Sequence, residues 1–318
     1  ATYPPADGRW TEADMQNYGG ELQWKPYYVF IAEGTCGENL FWKLDSRGRM
    51  RIWGTGEMYD YNNDPIGNDR DKAPWYPYRD DIMEVTVASG VTSIGREAFR
   101  RSRRLSKVEL PEGLVSINAG AFSGTALEEI TLPESLCHLG SYAFYSENLK
   151  TVVICSSTLT EIVSAFDGCD ALQEIHFLGD APEKPKELVK GDYSSSKSDY
   201  IYLKVSMYYP TGNATWTQEL IEKNRDENIT WVPVEENRNP RTDSLSWYFI
   251  PEEGRLVVWG TGEMENYSAS TPAPWHKYAD AIKNVTISKG VTSVGNYAFY
   301  NCASLENAVL CENVQKVG

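Results

Sequence analysis

The 318-residue chain has no run of about 18 uncharged apolar residues, the length that a membrane-spanning helix requires. This absence predicts that the segment does not insert into a membrane. Basic residues are also scarce, since 30 Lys and Arg stand against 45 Asp and Glu for a formal net charge of -15. Such a surface repels phosphate backbones, so we predict that nucleic acid is not a partner.

Signatures of catalysis are equally scarce. The three histidines, His138, His176 and His276, lie far apart and none has a metal-pair spacing. The sequence contains no GxSxG elbow and no P-loop. Gly54–Gly56 and Gly260–Gly262 are interpreted as tight turns, because a phosphate cradle needs a helix N-terminus directly after it. We therefore predict that the protein is not an enzyme, has no catalytic residues and uses no cofactor.

One acidic cluster is a weak candidate for a calcium site. Asp60, Asn62 and Asp64 alternate as the first ligands of a calcium loop do. Pro65 stands where such a loop needs glycine, and no glutamate follows at the required spacing. A solvated turn is favoured over a metal site, because Asp and Asn are common turn formers.

The six cysteines show no paired spacing, although three disulfides are possible in principle. Cys169 and Cys302 fall at the same position of a repeat, which is typical of small buried side chains and not of bridge partners. We predict that most of the six are free, buried thiols, namely those of Cys36, Cys137, Cys155, Cys169, Cys302 and Cys311.

What the chain does have is repetition. Phenylalanines that each follow an alanine stand at positions 99, 122, 144 and 166, at spacings of 23, 22 and 22 residues. Runs of the form LxxIxLP follow the first two pairs, and looser runs at Leu149–Cys155 and Leu172–Leu178 follow the other two. Their alternation predicts a strand with one face inward. We expect the Ala-Phe segment to turn the chain and place a ring between coils. A single unit buries too little apolar surface to fold alone, so the units are predicted to stack as a solenoid.

A second, longer period surrounds this array. Residues 2–27 return as 208–234, Asn39–Met58 returns as Leu245–Met264, and Gly90–Gly95 returns at 290–295. Between the repeats we predict short elements from alternation and turn residues. They are strands at Tyr28–Ile31, Leu40–Leu44, Met50–Trp53 and Ile201–Tyr209, short helices at Thr11–Asn17 and Thr217–Asn224, and a long loop at 180–199.

The unit LxxIxxxAFxxCxxLxxIxLP resembles the BspA-like (Treponema-type) leucine-rich repeats of bacterial surface proteins. The flanking segments are similar to modules that accompany these repeats in large exported proteins of gut Firmicutes. Ser102 departs from the usual Cys or Asn, and the third repeat lacks the proline. The resemblance implies an extracellular protein, secreted or attached to the cell surface, with no catalytic residues to carry over.

The predicted fold class is therefore a β-rich repeat protein: a leucine-rich-repeat solenoid of 22–23-residue coils with small antiparallel β modules and short helices. Both ends of the chain are expected to lie inside repeating units. The predicted domains are a tail of an upstream array with helix and strand (1–28), a Trp-rich β module (29–89), a four-repeat solenoid (90–184), a loop, strand, helix and strand that close the array (185–235), a second Trp-rich module (236–289) and the truncated start of a second array (290–318).

The functional candidate is the outward side of the LxxIxLP strands, where repeat proteins commonly bind partners. Simple solvation of this side is an equally good interpretation. We predict a protein ligand, with a carbohydrate surface on the Trp/Tyr-rich modules or a spacer role as alternatives. Burial of Trp75 at the module junction is favoured over a carbohydrate platform that also includes Tyr59, Tyr61, Tyr76 and Tyr78. The predicted binding residues are Lys107, Glu109, Glu129, Thr131, Thr151, Val153, Glu174 and His176.

Overall fold

The computed structural model of the protein describes residues 2–3, 25–26, 29–62, 71–156, 158–159, 161–162, 164–194, 199–238, 245–251, 253–260, 262–287, 291–310 and 314–318. The chain divides into two compact units: unit 1 comprises Ala1–Met207 and Gln218–Thr230, and unit 2 comprises Tyr208–Thr217 and Trp231–Gly318. The predicted helix at Thr11–Asn17 lies outside the described residues.

Short strands make up most of the regular structure, which confirms the predicted β-rich repeat class with few helices. The strands are β1 (Thr2–Tyr3), β2 (Lys25–Pro26), β3 (Phe30–Thr35), β4 (Gly37–Asp45), β5 (Arg49–Met58), β6 (Glu84–Val87), β7 (Ser93–Ile94), β8 (Lys107–Glu109), β9 (Ser116–Ile117), β10 (Glu129–Leu132), β11 (His138–Leu139), β12 (Thr151–Ile154), β13 (Glu161–Ile162), β14 (Glu174–Phe177), β15 (Lys190–Ser194), β16 (Asp199–Tyr202), β17 (Val205–Pro210), β18 (Ile229–Arg238), β19 (Leu245–Ile250), β20 (Arg255–Gly260), β21 (Gly262–Glu263), β22 (Asn284–Ile287), β23 (Val291–Val294), β24 (Asn307–Leu310) and β25 (Lys316–Val317).

The helices of the described residues are α1 (Gln218–Lys223) and 3₁₀ turns at Tyr76–Tyr78, Pro185–Val189 and His276–Tyr278. Helix α1 confirms the prediction for Thr217–Asn224 to within a residue at each end. Asn224 follows the helix and donates its side-chain amide to the carbonyl of Leu220 at 2.9 Å. None of these helices has the length and apolar character needed to cross a bilayer.

Strands β3, β4 and β5 form an antiparallel meander in unit 1. Leu40, Trp42 and Leu44 alternate along β4 and are buried, which is the one-sided pattern that predicted this strand. At the β4–β5 turn, Gly48 adopts a φ of 77°, a left-handed conformation that glycine reaches without steric cost. The Asp45 carboxylate accepts the backbone N–H groups two and four residues later, at 2.9 and 3.0 Å, and closes the turn.

The interpretation of Gly54–Gly56 as a tight turn is wrong, because β5 continues through this segment to Met58. Gly54 has a φ of 120°, and a Cβ atom there would collide with the carbonyl oxygen of Asn39. The pairing of β4 with β5 also shifts register between Gly37 and Asn39. Glycine therefore serves a close approach of two backbones at a strand irregularity, where sequence alone suggested the end of a strand.

The repeats of unit 1 contribute two sets of parallel strands. In the longer set, β10 pairs with β12 and β12 with β14, so that Glu129 lies opposite Thr151 and Thr151 opposite Glu174. In the same way β5 pairs with β6 and β6 with β8. The shorter set, β7, β9, β11 and β13, lines a second side of each repeat. Every LxxIxL run thus forms a strand that pairs with the equivalent strand of a neighbouring repeat or of the β module.

The Ala-Phe segments hold a column of aromatic rings through unit 1, which confirms the predicted ring between repeats. Phe99, Phe122, Phe144 and Phe166 are at most 1% exposed, and successive ring centroids lie 5.4–5.5 Å apart. Backbone bonds join the same segments, since the N–H of Phe122 donates to the carbonyl of Ala143 at 2.7 Å. Burying each ring contributes about 1.5–3 kcal/mol.

Trp75 ends this column at the junction with the β module, as predicted. Its ring stacks on Phe99 at 5.2 Å and meets Trp42 of β4 edge-on at 5.6 Å. The indole N–H donates to the carbonyl of Ala98 at 2.7 Å, so this buried donor is satisfied. In unit 2, Trp275 makes the same bond to the alanine of its own Ala-Phe pair, also at 2.7 Å.

Two elements between the repeats and helix α1 differ from their predictions. The predicted loop at 180–199 contains a 3₁₀ turn and strand β15, because Leu188 and Val189 are fully buried there and the Leu188 carbonyl accepts the N–H of Phe166 at 3.4 Å. The single strand predicted at Ile201–Tyr209 is two strands, β16 and β17. These strands have different partners, since β16 pairs with β15 while Ser206 of β17 donates to Gln173 at 2.8 Å.

Unit 2 repeats the same local plan. Strands β19 and β20 are antiparallel, while β20, β22 and β24 are parallel. Trp247 meets Trp275 edge-on with centroids 5.9 Å apart and an interplanar angle of 76°, against 77° for the Trp42–Trp75 pair. The two copies of the sequence therefore form the same edge-on tryptophan contact between the β module and the first repeat that follows it.

Candidate binding surfaces

The strand face is the outward side of β8, β10, β12 and β14 and carries the eight predicted binding residues. Strand β10 shows its construction, since Ile130 and Leu132 are buried while Glu129 and Thr131 are exposed. The register aligns Thr131 with Val153 and Val153 with His176. Of the eight, Glu109, Glu129 and Thr131 are exposed, Lys107, Thr151, Val153 and Glu174 are half-buried, and His176 is buried.

The expectation of an exposed His176 is corrected by its burial, with only 2% of the residue exposed. Its Nε2 atom lies 2.9 Å from the Glu174 carboxylate. Strand β14 is not the last strand of its sheet, because β17 pairs along its other edge. A position that points outward by alternation is therefore buried in the folded protein, beside the Glu174 side chain.

Ion pairs cross the strand face between its charged members. Lys107 lies 2.9 Å from Glu109, and Thr86 of β6 donates to the same glutamate at 3.2 Å. On the neighbouring repeats, Lys150 pairs with Glu128 at 3.1 Å. Ion pairs at a protein surface contribute at most about 1 kcal/mol each, so these pairs give the face its charge pattern and little of its stability.

An aromatic pair extends this side of the protein onto the β module. Phe41 of β4 lies opposite Trp53 of β5, with ring centroids 6.0 Å apart and planes 28° from parallel. Phe41 is 44% exposed although it sits beside buried strand positions. In the adjacent row, Lys43 lies opposite Arg51 and Arg51 opposite Thr86 of β6, so the row runs on to the repeats.

Sequence reasoning missed the Phe41–Trp53 pair. The available signal was the hairpin itself: a turn centred between Ser46 and Gly48 brings these two outward positions together. The aromatics considered for a surface were those of the segment after β5, Tyr59 to Tyr78, and neither Phe41 nor Trp53 was among them.

The aromatics proposed for a carbohydrate platform are mostly not available at the surface. Trp75 and Tyr61 are buried, and the Tyr61 hydroxyl donates to the carbonyl of Cys36 at 3.2 Å. Tyr76 and Tyr78 are half-buried. Tyr59, at 54% exposure, is the most exposed of the five.

The acidic cluster is engaged in local structure. Asp60 accepts the backbone N–H of Arg96 at 2.6 Å and the amide of Asn118 at 3.0 Å, while Asp64 lies outside the described residues. Asn266 of unit 2 accepts a backbone N–H in the same way at 2.8 Å, so this position requires a side-chain oxygen and no charge. Asn62 donates its backbone N–H to the backbone carbonyl of Asp71 at 2.7 Å. No group of three or more His, Cys, Asp or Glu gathers as a metal site within the described part of the chain.

The predicted free thiols are confirmed at Cys36, Cys137, Cys169 and Cys302. Cys155 is half-buried, and Cys311 lies outside the described residues. Cys36 and Cys169 are fully buried, as predicted, whereas Cys137 and Cys302 are half-buried. Burial raises the pKa of the Cys36 and Cys169 thiols to about 12, and it also raises the pKa of Cys302.

These differences predict selective alkylation. At pH 8 in the native protein, iodoacetamide is expected to modify Cys137 and to leave Cys36 and Cys169 unmodified, because the thiolate is the reactive form and a pKa near 12 leaves almost none of it. Peptide mass spectrometry after a timed reaction measures this, with the protein in 6 M guanidinium as the control in which all sites react. Equal rates at Cys36 and Cys137 in the native protein would contradict the burial.

Comparison with known proteins agrees with this geometry. The family model for the BspA type leucine rich repeat region matches six copies over residues 76–184 and 275–318. No curated protein sequence matches the chain.

Solved structures similar to the chain include leucine-rich repeat proteins. One from Eubacterium ventriosum is 17% identical, with 90% of this chain and 84% of that chain covered and a TM-score of 0.38. The repeat protein of T. pallidum is 21% identical, with 62% and 94% covered and a TM-score of 0.34. A leucine rich cell surface protein from Faecalibacterium prausnitzii is 13% identical, with 88% and 94% covered and a TM-score of 0.21.

Proposed function

Because residues 76–184 and 275–318 are BspA-type leucine-rich repeats, we propose that the chain is a non-catalytic recognition or adhesion scaffold that binds a host or microbial protein through its strand face. The proposal places the protein outside the cell, secreted or attached to the surface. It includes the domain limits derived from the sequence and a solenoid of 22–23-residue coils at 90–184. The parallel pairing of Glu129 with Thr151 and of Thr151 with Glu174 supports that arrangement.

The observation that carries the proposal is the pair of Phe41, which is 44% exposed, and Trp53, which is half-buried, on the same sheet as β6 and β8. Protein interfaces draw most of their binding energy from a few aromatic and arginine side chains surrounded by polar contacts. Here a stacked pair lies beside Lys43 and Arg51, and the row continues through Thr86 to Glu109. The arrangement has the apolar centre and charged rim of a protein-binding surface.

The test is the substitution Phe41→Ser, which places at this position the residue of the second copy, where Ser246 lies opposite Trp259. The full chain would be assayed by biolayer interferometry against a panel of purified serum and extracellular-matrix proteins. For a bound panel member, we expect Phe41→Ser to weaken the Kd at least tenfold, about 1.4 kcal/mol, because it removes the exposed ring of the pair.

Tyr59→Ser is the matched control, since it removes a similarly exposed ring outside the pair. Its Kd is expected to stay within about twofold of the parent value. A panel with no bound member, or equal affinity for the Phe41→Ser variant and the parent, would refute binding through this surface.

The two alternatives remain predictions with their own tests. A carbohydrate surface on the β modules would rest on Tyr59, and a glycan array signal that Tyr59→Ser abolishes would favour it. A spacer role would be favoured by a rigid, extended shape in solution together with the absence of any ligand.

A further inference from the structure

Five arginines lie within nine residues at the first Ala-Phe segment, in a chain whose formal net charge is -15. We name them the arginine corner: Arg96, Arg100, Arg101, Arg103 and Arg104. The same nine residues contain one glutamate, Glu97, and no lysine. At the matching positions of the second copy the chain has Asn296, Tyr300, Asn301, Ala303 and Ser304, so this charge is confined to the first array.

Glu97 neutralises only one part of the arginine corner. Its carboxylate is 9% exposed and lies 2.9 Å from Arg100 and 3.9 Å from Arg96. Arg101, Arg103 and Arg104 are exposed, and none of the three forms an ion pair with a described carboxylate. Three guanidinium groups within four residues therefore present unbalanced positive charge to solvent.

The three exposed arginines spread along the direction in which the repeats stack. The Arg101 backbone N–H donates to Ser123 of the next repeat at 2.7 Å, and its side chain lies beside Gly124. In the other direction, Arg104 reaches Met83, ahead of the first repeat, with Nη2 and Sδ 3.5 Å apart. This placement suits a linear ligand that runs past more than one repeat.

The backbone does not account for arginine at position 101. Arg101 has a φ of 63°, a left-handed conformation that asparagine tolerates better than long side chains do. Its counterpart Asn301 adopts a φ of 62°. Arginine therefore has a higher conformational cost than asparagine at this position of the turn. Its presence points to a role for the guanidinium group itself.

We propose that the arginine corner binds a sulfated polysaccharide. The guanidinium group forms paired hydrogen bonds with planar or tetrahedral oxyanions, which the lysine ammonium group does not. A thin, flexible chain can contact three arginines and bring few of its other charges within the screening distance of about 8 Å of the acidic surface. A rigid duplex or a membrane would bring many more negative charges against a protein of net charge -15. The proposal is independent of binding through the strand face.

The experiment compares the full chain with the variant Arg101→Asn, Arg103→Ala, Arg104→Ser, which copies the second array at these three positions. The probe is dextran sulfate at 0.15 M NaCl, with unsulfated dextran of the same length as the reference, measured by isothermal titration calorimetry. We expect the parent to bind dextran sulfate alone and the triple variant to bind it at least tenfold more weakly. Unchanged circular dichroism would show that the variant is folded.

A charge-matched control distinguishes binding by the arginine corner from an effect of the protein's total charge. The variant Lys204→Ala, Lys223→Ala, Arg225→Ala removes three exposed positive charges elsewhere and is expected to bind within about twofold of the parent. Equal losses in the two triple variants would overturn the proposal, as would equal binding of sulfated and unsulfated dextran. A single-stranded oligonucleotide or an anionic lipid vesicle that binds more tightly than dextran sulfate through the same arginines would also overturn it.

Discussion

Replacing Phe122 by alanine is expected to lower the free energy of unfolding by about 3–5 kcal/mol, the largest effect of any single side-chain truncation proposed for this chain. Phe122 is fully buried, and its ring lies 5.4 Å from Phe99 on one side and 5.4 Å from Phe144 on the other. Truncation leaves a cavity between the rings of Phe99 and Phe144. Backbone hydrogen bonds hold the segments of both rings in place, so the rings cannot approach each other to fill the cavity. Urea unfolding followed by near-ultraviolet circular dichroism measures the change.

Two variants serve as controls for this prediction. Phe122→Leu keeps most of the volume and is expected to cost clearly less than the alanine variant. Phe299→Ala removes a half-buried ring of unit 2 that stacks on Trp275 at 6.0 Å, so its expected effect is also smaller. A loss below about 1.5 kcal/mol for Phe122→Ala would show that the ring column does not stabilise the repeats as packed cores do.

The second large effect is expected from Gly95→Ala, at about 3 kcal/mol or more of lost stability. A Cβ atom at Gly95 would collide with the backbone carbonyl of Tyr59, and a Cβ at Gly295 of unit 2 would collide with that of Glu265. A side chain can rotate away from such a contact, but a backbone carbonyl cannot. The chain segments must separate, which also disturbs the hydrogen bond that the Arg96 backbone N–H donates to the Asp60 carboxylate.

Gly212→Ala is the matched control, because a Cβ atom at Gly212 meets nothing within 4 Å. Its stability is expected to change by less than about 1 kcal/mol, with reduced freedom of the unfolded chain as the main contribution. Thermal unfolding of both variants under the same conditions provides the comparison. Similar unfolding temperatures for Gly95→Ala and the parent would contradict the close backbone approach at this site.

The repeat strands and the ring column follow from local sequence pattern. The alternation in LxxIxL predicts which side of each strand is buried, and Ile130 and Leu132 of β10 are buried as that pattern requires. The spacing of the Ala-Phe pairs places Phe122 between its neighbours because equivalent positions of stacked repeats coincide. The buried side of a strand and the stacking of equivalent rings both depend only on a short segment and its copies. One sequence is therefore enough to predict them.

The binding surface was less predictable, for two physical reasons. Alternation states which side of a strand faces outward but not whether a residue on that side stays exposed, as the burial of His176 on β14 shows. Pairing between strands also decides which outward residues meet, and the Phe41–Trp53 contact depends on the register of β4 with β5. The glycines at 54 and 95 were not predictable either, because the sequence does not identify the distant backbone that each of them approaches.

The sequence by itself determined the repeat, the buried side of each strand, the aromatic column and the duplicated tryptophan junction. Each of these depends on the order of apolar and polar residues within a segment that recurs. Only the tertiary structure decided which outward positions are exposed, which rings pair at the surface and that the arginine corner reaches from Met83 to Gly124. Those features depend on contacts between segments that are distant in sequence, where packing and register determine the outcome.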